Sequence, residues 1–172
     1  MTSLTVRPAG PTDAAAVTRL LNETWNPIQA VSNRVYDLRT LPCLVAVRDD
    51  TVVGLLHYEI VGTAMEVVSL FAEPRGSGAG TALMREAAAI GTAHGATRLW
   101  LVTTNDNVDA LRFYQRRGLR ILEVRPGGVD AARALKASIP KIGAYGIEMH
   151  DEIVLGHPLP LIVTAGSDNV TA

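Results

Sequence analysis

The chain has 172 residues, 48% of them hydrophobic and 19% charged, and a formal net charge of -1. That length suits one domain with its own core, and the near-zero charge argues against bulk attraction to nucleic acid or to an anionic membrane. The single cysteine, Cys43, excludes an internal disulfide and a cysteine metal cluster and agrees with a reducing cytoplasm.

No basic-then-apolar pattern marks a signal peptide at the N-terminus. His57, Glu59 and Glu66 interrupt the longest apolar runs, so no membrane span is expected.

In chain order, Leu4 to Ala9 reads as a short strand stopped by Pro8 and Gly10. Thr12 or Asp13 can cap a helix with Val17, Leu20, Leu21 and Thr24 on one face. Pro27 closes that region, and Val31 to Leu41 is expected to hold a second, weaker helix. Cys43–Val47 and Thr51–Ile60 read as strands of a hairpin turned at Arg48–Thr51. Met65–Ala72 is the next strand.

A glycine-rich stretch follows, then a helix carrying Leu83, Ala87 and Ile90 and stopped by Gly95. Thr97–Thr104 is a strand, Asn107–Gly118 a helix with a glycine stop, and Leu119–Val124 a strand. A long connection, Arg125 to His150, holds a short helix at Val129–Lys136. Asp151–Leu155 is the last strong strand, and the strand-like "LIVT" after it runs into a polar end. Residues 1–160 are therefore expected to form a single domain and 161–172 a C-terminal tail. Consecutive strands followed by strand–helix alternation predict a mixed α/β sheet of six to seven strands, mostly antiparallel, with helices on both faces.

The stretch "FAEPRGSGAGTALMREA", Phe71 to Ala87, places bare backbone between a strand and a helix. A helix N-terminus there offers free N–H groups and a positive dipole end to anionic oxygen, and glycines let a phosphate approach. Taken alone, the same residues also suit a simple tight turn. Two phosphate loops can be excluded. "GAGTAL" has no lysine for a P-loop. A G-x-G-x-x-G fingerprint counted from Gly76 meets Thr81 at its third glycine, and counted from Gly78 it meets Leu83.

The pattern that does fit is R-x-x-G-x-G, through Arg75, Gly76, Ser77, Gly78, Ala79 and Gly80. A second motif follows in "NVDALRFYQRRGL", with Asn107, Ala110, Phe113, Tyr114, Gly118 and Leu119 at N-x-x-A-x-x-F-Y-x-x-x-G-hydrophobic spacing. Together these resemble the GCN5-related N-acetyltransferase (GNAT) superfamily, and the resemblance runs from about Leu4 to Leu155.

The resemblance implies an acetyl-CoA-dependent N-acetyltransferase. The glycine loop, Arg75 to Thr81, would hold the pyrophosphate of coenzyme A. Leu70, Phe71 and Ala72 would offer backbone groups to the pantetheine arm, with a backbone N–H near Leu70 or Phe71 as oxyanion donor. The strand Met65–Ala72 would splay from its parallel neighbour Thr97–Thr103. Asn107 would contact the pantetheine, and Tyr114 would be the general acid. No metal is implied.

The chemistry also needs a base for the acceptor ammonium. Glu66, on the same strand face as Val68 and Leu70 by period two, is the leading candidate, because apolar neighbours raise a carboxylate's pKa. His57, Tyr58, Glu59 and a water remain alternatives. Cys43 reads as a small buried residue.

The acceptor, a small-molecule, amino-acid or peptide amine, would sit between Asn22–Leu41 and Pro126–His150. Trp25, Arg34, Tyr36, Asp37 and Arg39 stand in the first segment, and Arg133, Lys136, Lys141, Tyr145 and Glu148 in the second. The second segment is expected to act as a lid or as a dimer contact. A non-catalytic acyl-CoA sensor or scaffold with the same fold is the alternative function.

Overall fold

The computed structural model describes residues 3–24, 26–31 and 33–161. Its elements in chain order are β1 (Leu4–Pro8), α1 (Ala14–Thr24), β2 (Ile28–Val31), β3 (Arg34–Asp37), β4 (Cys43–Arg48), β5 (Thr51–Val61), β6 (Ala64–Ala72), α2 (Ala79–Ala93), β7 (Arg98–Thr104), α3 (Val108–Gln115), β8 (Arg120–Arg125), α4 (Gly128–Leu135) and β9 (Glu152–Pro158). Seven strands form one sheet in the order β1-β4-β5-β6-β7-β9-β8. Every neighbouring pair is antiparallel except β6 and β7. This is the mixed, mostly antiparallel sheet that the strand order predicts.

The alternating apolar residues of the central strands feed two cores. Leu44, Leu56, Met65, Leu99, Leu101 and Leu155 pack with Leu83, Met84 and Ala87 of α2 and with Tyr114 of α3. On the opposite face, Val45 and Leu55 pack with Leu20 and Leu21 of α1. Helices therefore cover both faces. At the β4–β5 turn, Asp49 and Asp50 take φ values of 48° and 60°, a left-handed pair that aspartate tolerates.

One predicted helix is a hairpin. Val31 to Leu41 forms the end of β2, all of β3 and a single 3-10 turn at Leu38–Thr40. Asn33, at φ 63°, makes the reversal. Val35 and Tyr36 then alternate outward and inward, as β-branched and aromatic residues favour, with Val35 exposed and Tyr36 buried. The last strand runs on to Pro158, past the expected end at Leu155. Of the strand-like "LIVT", Leu161 is buried, and the rest lies outside the described residues.

Two irregularities shape the centre of the sheet. β6 and β7 pair only from Ala64–Val67 to Arg98–Leu101, and beyond that they part. In the β5–β6 ladder, His57 faces Ser69 but Tyr58 faces Val67, so Val68 is an extra residue and the strand bulges. The bulge undoes the period-two reading of β6. Val68 packs with the α1-side core and Leu70 with the α2-side core, so the two are not on one face.

Candidate active site

The parting of β6 from β7 opens the sheet on both sides. A cleft of about 640 Å³ runs along α2 and α3 on one side, and a cavity of about 490 Å³ lies on the other. Leu70, Asn107, Ala110 and Tyr114 belong to the walls of both. The two spaces therefore meet at one tyrosine.

The cleft is built around the glycine loop. Gly76 and Gly78 have φ values of 78° and 83°, and a Cβ on either would point into open space, so backbone conformation selects glycine there. Gly80 has another reason: its Cβ would lie 3.1 Å from the Phe113 ring, which lets α2 and α3 approach. Arg48 donates to the Ser77 carbonyl at 2.7 Å and anchors the loop from β4. Gly78 caps α2, and Gly80, Thr81 and Ala82 of its first turn line the cleft.

Five arginines line this cleft, Arg75, Arg85, Arg112, Arg116 and Arg117, against one carboxylate, Asp109. Arg117 stacks on Phe113 with its guanidinium carbon 3.5 Å from the ring centroid and donates to the Thr81 hydroxyl, which ties α3 to α2. Arg75 is 83% exposed and pairs with Asp109 at 2.7 Å.

Tyr114 is buried by α2-side neighbours, meets Phe113 edge-on, and has its pKa raised by that burial. No hydrogen bond to its hydroxyl occurs among the described residues. Asn107 is the N-cap of α3, and its Oδ1 accepts from the Ala110 N–H at 3.2 Å. The residue expected to touch a ligand thus also starts the helix that carries Tyr114.

Leu70 and Ala72 stand in the cleft wall, whereas Phe71 packs against the α1-side core. The Glu73 N–H donates to Val53 of β5. Alternation along the strand then turns the Phe71 N–H toward β5 and those of Leu70 and Ala72 toward the gap. Of the two expected oxyanion donors, only the Leu70 N–H faces it. Ala79 is fully buried below the loop and reaches no cleft.

The base candidates are distributed unevenly. Glu66 is 5% exposed, pairs in register with Glu59 and Trp100, and lies outside both cavity walls, one residue before Val67 of the second. The Tyr36 hydroxyl donates to its Oε2 at 2.8 Å, while burial raises its pKa. Arg34 holds Glu59 at 3.0 Å, and Tyr58 packs against the α2-side core. His57 is 1% exposed and its Nδ1 lies 2.8 Å from the Ser69 hydroxyl. Ser69 is in the wall of the second cavity. Burial lowers the His57 pKa to about 4, which keeps the ring neutral. Cys43, opposite His57 on β4, has its thiol pushed up to about 12 by burial.

The long connection forms an ordered wall. Val129, Ala132, Lys136, Ser138, Ile139, Pro140, Gly143 and Met149 line the second cavity. Arg133 donates to the carbonyls of Ile139, Pro140 and Met149, which folds the segment on itself. Asn105 joins the backbone of Glu148, His150 and Asp151. Asp106 accepts from the Ala144 N–H, and Asp109 from the Tyr145 hydroxyl at 2.7 Å.

The opposite wall includes Gln29, Ala30 and Val31 of β2, and Arg34, Tyr36, Asp37 and Arg39 stand outside the cavity. Trp25 lies outside the described residues. Lys141, Tyr145 and Glu148 are exposed away from the wall.

Sequence reasoning missed Ser69, Arg85, Arg112, Arg116 and Arg117. The arginines of "LRFYQRRG" carried a signal, since their helix was already placed beside the loop. Among the described residues, no group of three or more His, Cys, Asp or Glu could hold a metal ion, and no helix is long and apolar enough to cross a membrane.

A central sheet splayed between its parallel strands, with a glycine loop at the mouth, defines an acyltransferase class of fold. The acetyltransferase (GNAT) family model matches residues 14–119, and the chain belongs to this family. It is 36% identical over 129 residues to the Bacillus subtilis protein YdhI, covering 74% of this chain and 81% of that protein. It is 33% identical over 141 residues to YxbD of the same organism, covering 81% and 89%.

Among solved structures, a Bacillus subtilis acetyltransferase in complex with CoA superposes with a TM-score of 0.68 at 18% identity, covering 91% of this chain and 99% of that one. The IAA acetyltransferase from Bacillus cereus gives 0.69 at 22% identity, covering 91% and 100%. A GNAT family acetyltransferase from Elizabethkingia anophelis with acetyl-CoA bound gives 0.65 at 19%, covering 91% and 98%.

Proposed function

We propose that the chain transfers the acetyl group of acetyl-CoA to the primary amine of a small molecule, amino acid or peptide, by direct attack with both substrates bound. The observation that carries this is the meeting of two cavities at Tyr114, one on each side of the splayed strands. The cleft residues fit the donor. Left-handed glycines, a helix N-terminus and five arginines suit a ligand with several phosphate charges. The CoA and acetyl-CoA complexes of the structural relatives support the same reading.

In this reading the glycine loop and α2 hold the pyrophosphate, and Leu70 directs its N–H at the acetyl carbonyl oxygen, where negative charge develops. Tyr114, protonated at neutral pH because burial raises its pKa, delivers a proton to the departing sulfur. Glu66 was the expected base, but Ser69 is the polar group in the cavity wall with a base behind it. The acceptor ammonium loses its proton to a water, and the Ser69 oxygen accepts a hydrogen bond from the nitrogen while its own hydroxyl donates to the neutral His57 Nδ1. This requires the His57 tautomer protonated at Nε2. Glu66, capped by Tyr36 and outside both cavity walls, does not itself take the proton.

Thermal-shift measurement with acetyl-CoA, CoA and NAD tests the donor. A rise with both CoA species and none with NAD is expected, and no response to either CoA species overturns it. An amine panel followed by CoA release separates the enzyme from a non-catalytic sensor, which would bind acetyl-CoA without turnover. Ser69→Ala should slow turnover by about 10–100-fold, as losing a hydrogen bond to the reacting nitrogen implies. An equal loss in Glu66→Gln with Ser69→Ala unaffected would return the base to Glu66.

A further inference from the structure

Among the described residues, the wall of the acceptor cavity contains two of formal charge, Asp106 and Lys136. Asp106 is 5% exposed, and its carboxylate is engaged inside the protein. One oxygen accepts from the Thr104 hydroxyl and the other from the Ala144 N–H. A Cβ on Gly143 would collide with this carboxylate, so the backbone is folded tightly over it. Its charge faces the chain and not the cavity.

Lys136 is the C-cap residue of α4 and stands beside Ala132, Ser138 and Ile139. Its ammonium has no hydrogen-bond or ion-pair partner among the described residues. Burial alone shifts its pKa, downward, with no neighbouring carboxylate acting in the other direction. Holding a partly desolvated cation without a counter-charge is unfavourable, and an anionic ligand group would remove that cost. The walls around it, with Val67, Val68, Leu101 and Val129, are largely apolar and would strengthen such a contact. A volume near 490 Å³ is that of a small-molecule site.

We propose that the acceptor is a small amine bearing an anionic group, a carboxylate or a phosphorus oxyanion, and that Lys136 receives that group while the amine lies toward Ser69 and Tyr114. This rests on the acetyl-transfer reading and narrows its acceptor. Lys136 is a specificity residue, acting on the far end of the substrate from the reacting nitrogen.

The test compares matched acceptors with acetyl-CoA at saturation: amino acids against their amides, and aminoalkylphosphonates against their neutral diesters, with CoA release as the readout. Wild type should prefer the anionic member of at least one pair by about 10–100-fold in kcat/KM, as a charge-assisted contact implies. The pair that responds separates carboxylate from phosphonate. Lys136→Met should erase the preference, chiefly through a rise in KM for the anionic member. Lys136→Arg should restore much of it.

Preference for the neutral members, or undiminished preference in Lys136→Met, overturns the proposal. So does acetylation of neutral amines alone. All three outcomes leave donor binding and acetyl transfer standing. A protein whose melting temperature ignores acetyl-CoA instead removes the parent reading, and this one with it.

Discussion

On the donor side of Tyr114 the walls are mostly backbone. Gly76 and Gly78 present left-handed turns, α2 presents its first turn, and Leu70 and Ala72 present the free side of β6. On the acceptor side the walls are side chains drawn from β2, β6, β7, α4 and the connection after it. Backbone geometry constrains residue type within a few consecutive positions. A wall of side chains from five elements constrains none of them locally. The cleft therefore rests on contiguous backbone, while the second cavity is assembled from residues far apart in the chain.

The sharpest way to break this contrast is at the shared residue. Tyr114→Phe keeps the ring in the core and removes the hydroxyl proposed as the acid, so turnover should fall by about 10²–10⁴-fold. Donor affinity should stay within a factor of three, about the scatter expected when no contact is lost. Stopped-flow turnover beside calorimetric binding separates the two, and equal losses would make the tyrosine structural.

Gly78→Ala probes the backbone wall. A left-handed alanine is strained by about 1–2 kcal/mol, so acetyl-CoA affinity should fall about tenfold or more if binding requires that conformation. Unchanged affinity would mean that the loop holds the donor by side chains instead.

His57 sharpens the acceptor side through stability. The unfolded chain takes up this proton below about pH 6.5, but the folded chain does so only near pH 4. The unfolded state thus binds more protons between these values, and stability falls as pH drops through that window. Burial of the neutral ring should account for roughly 3 kcal/mol of the decline, order of magnitude only. Denaturant titrations from pH 7 to 4 should show a shallower slope for His57→Asn, and identical slopes would place the ring in a more solvated setting.

The smallest effect is expected at Arg75. It is exposed and already paired with Asp109, so Arg75→Ala should weaken acetyl-CoA binding by no more than about threefold, as for other surface ion pairs. A much larger loss would mean that the arginine leaves Asp109 to grip the donor.

The same division explains what could be read from the residues. The strand–glycine–helix passage and the N-x-x-A-x-x-F-Y helix announced the fold, and their residues line one cleft, since each motif is contiguous. The β2–β3 hairpin was hidden because its reversal rests on the φ of one residue, Asn33, inside a sequence with weak helical spacing. That Val68 and Leu70 lie on opposite faces was hidden by the bulge at Val68, which breaks a period-two count without altering composition. Ser69 gains significance only because β5 brings His57 against it. Lys136 gains it only because α4 folds over the gap.

The interrupted pairing of β6 has one more consequence. This strand lies in the middle of seven, yet among the described residues no strand is laddered to its β7-facing side from Val68 onward. In that stretch it is an edge strand in the interior of a sheet. Its amides at Leu70 and Ala72 should exchange hydrogen with solvent far faster than those of Leu55 or Leu56 beside them, and should slow when an extended ligand lies along them. Exposed edges ordinarily invite another chain to add itself and aggregate. Here the glycine loop, α3 and the connection after α4 flank the opening, so a slender molecule can lie against that edge where another sheet cannot.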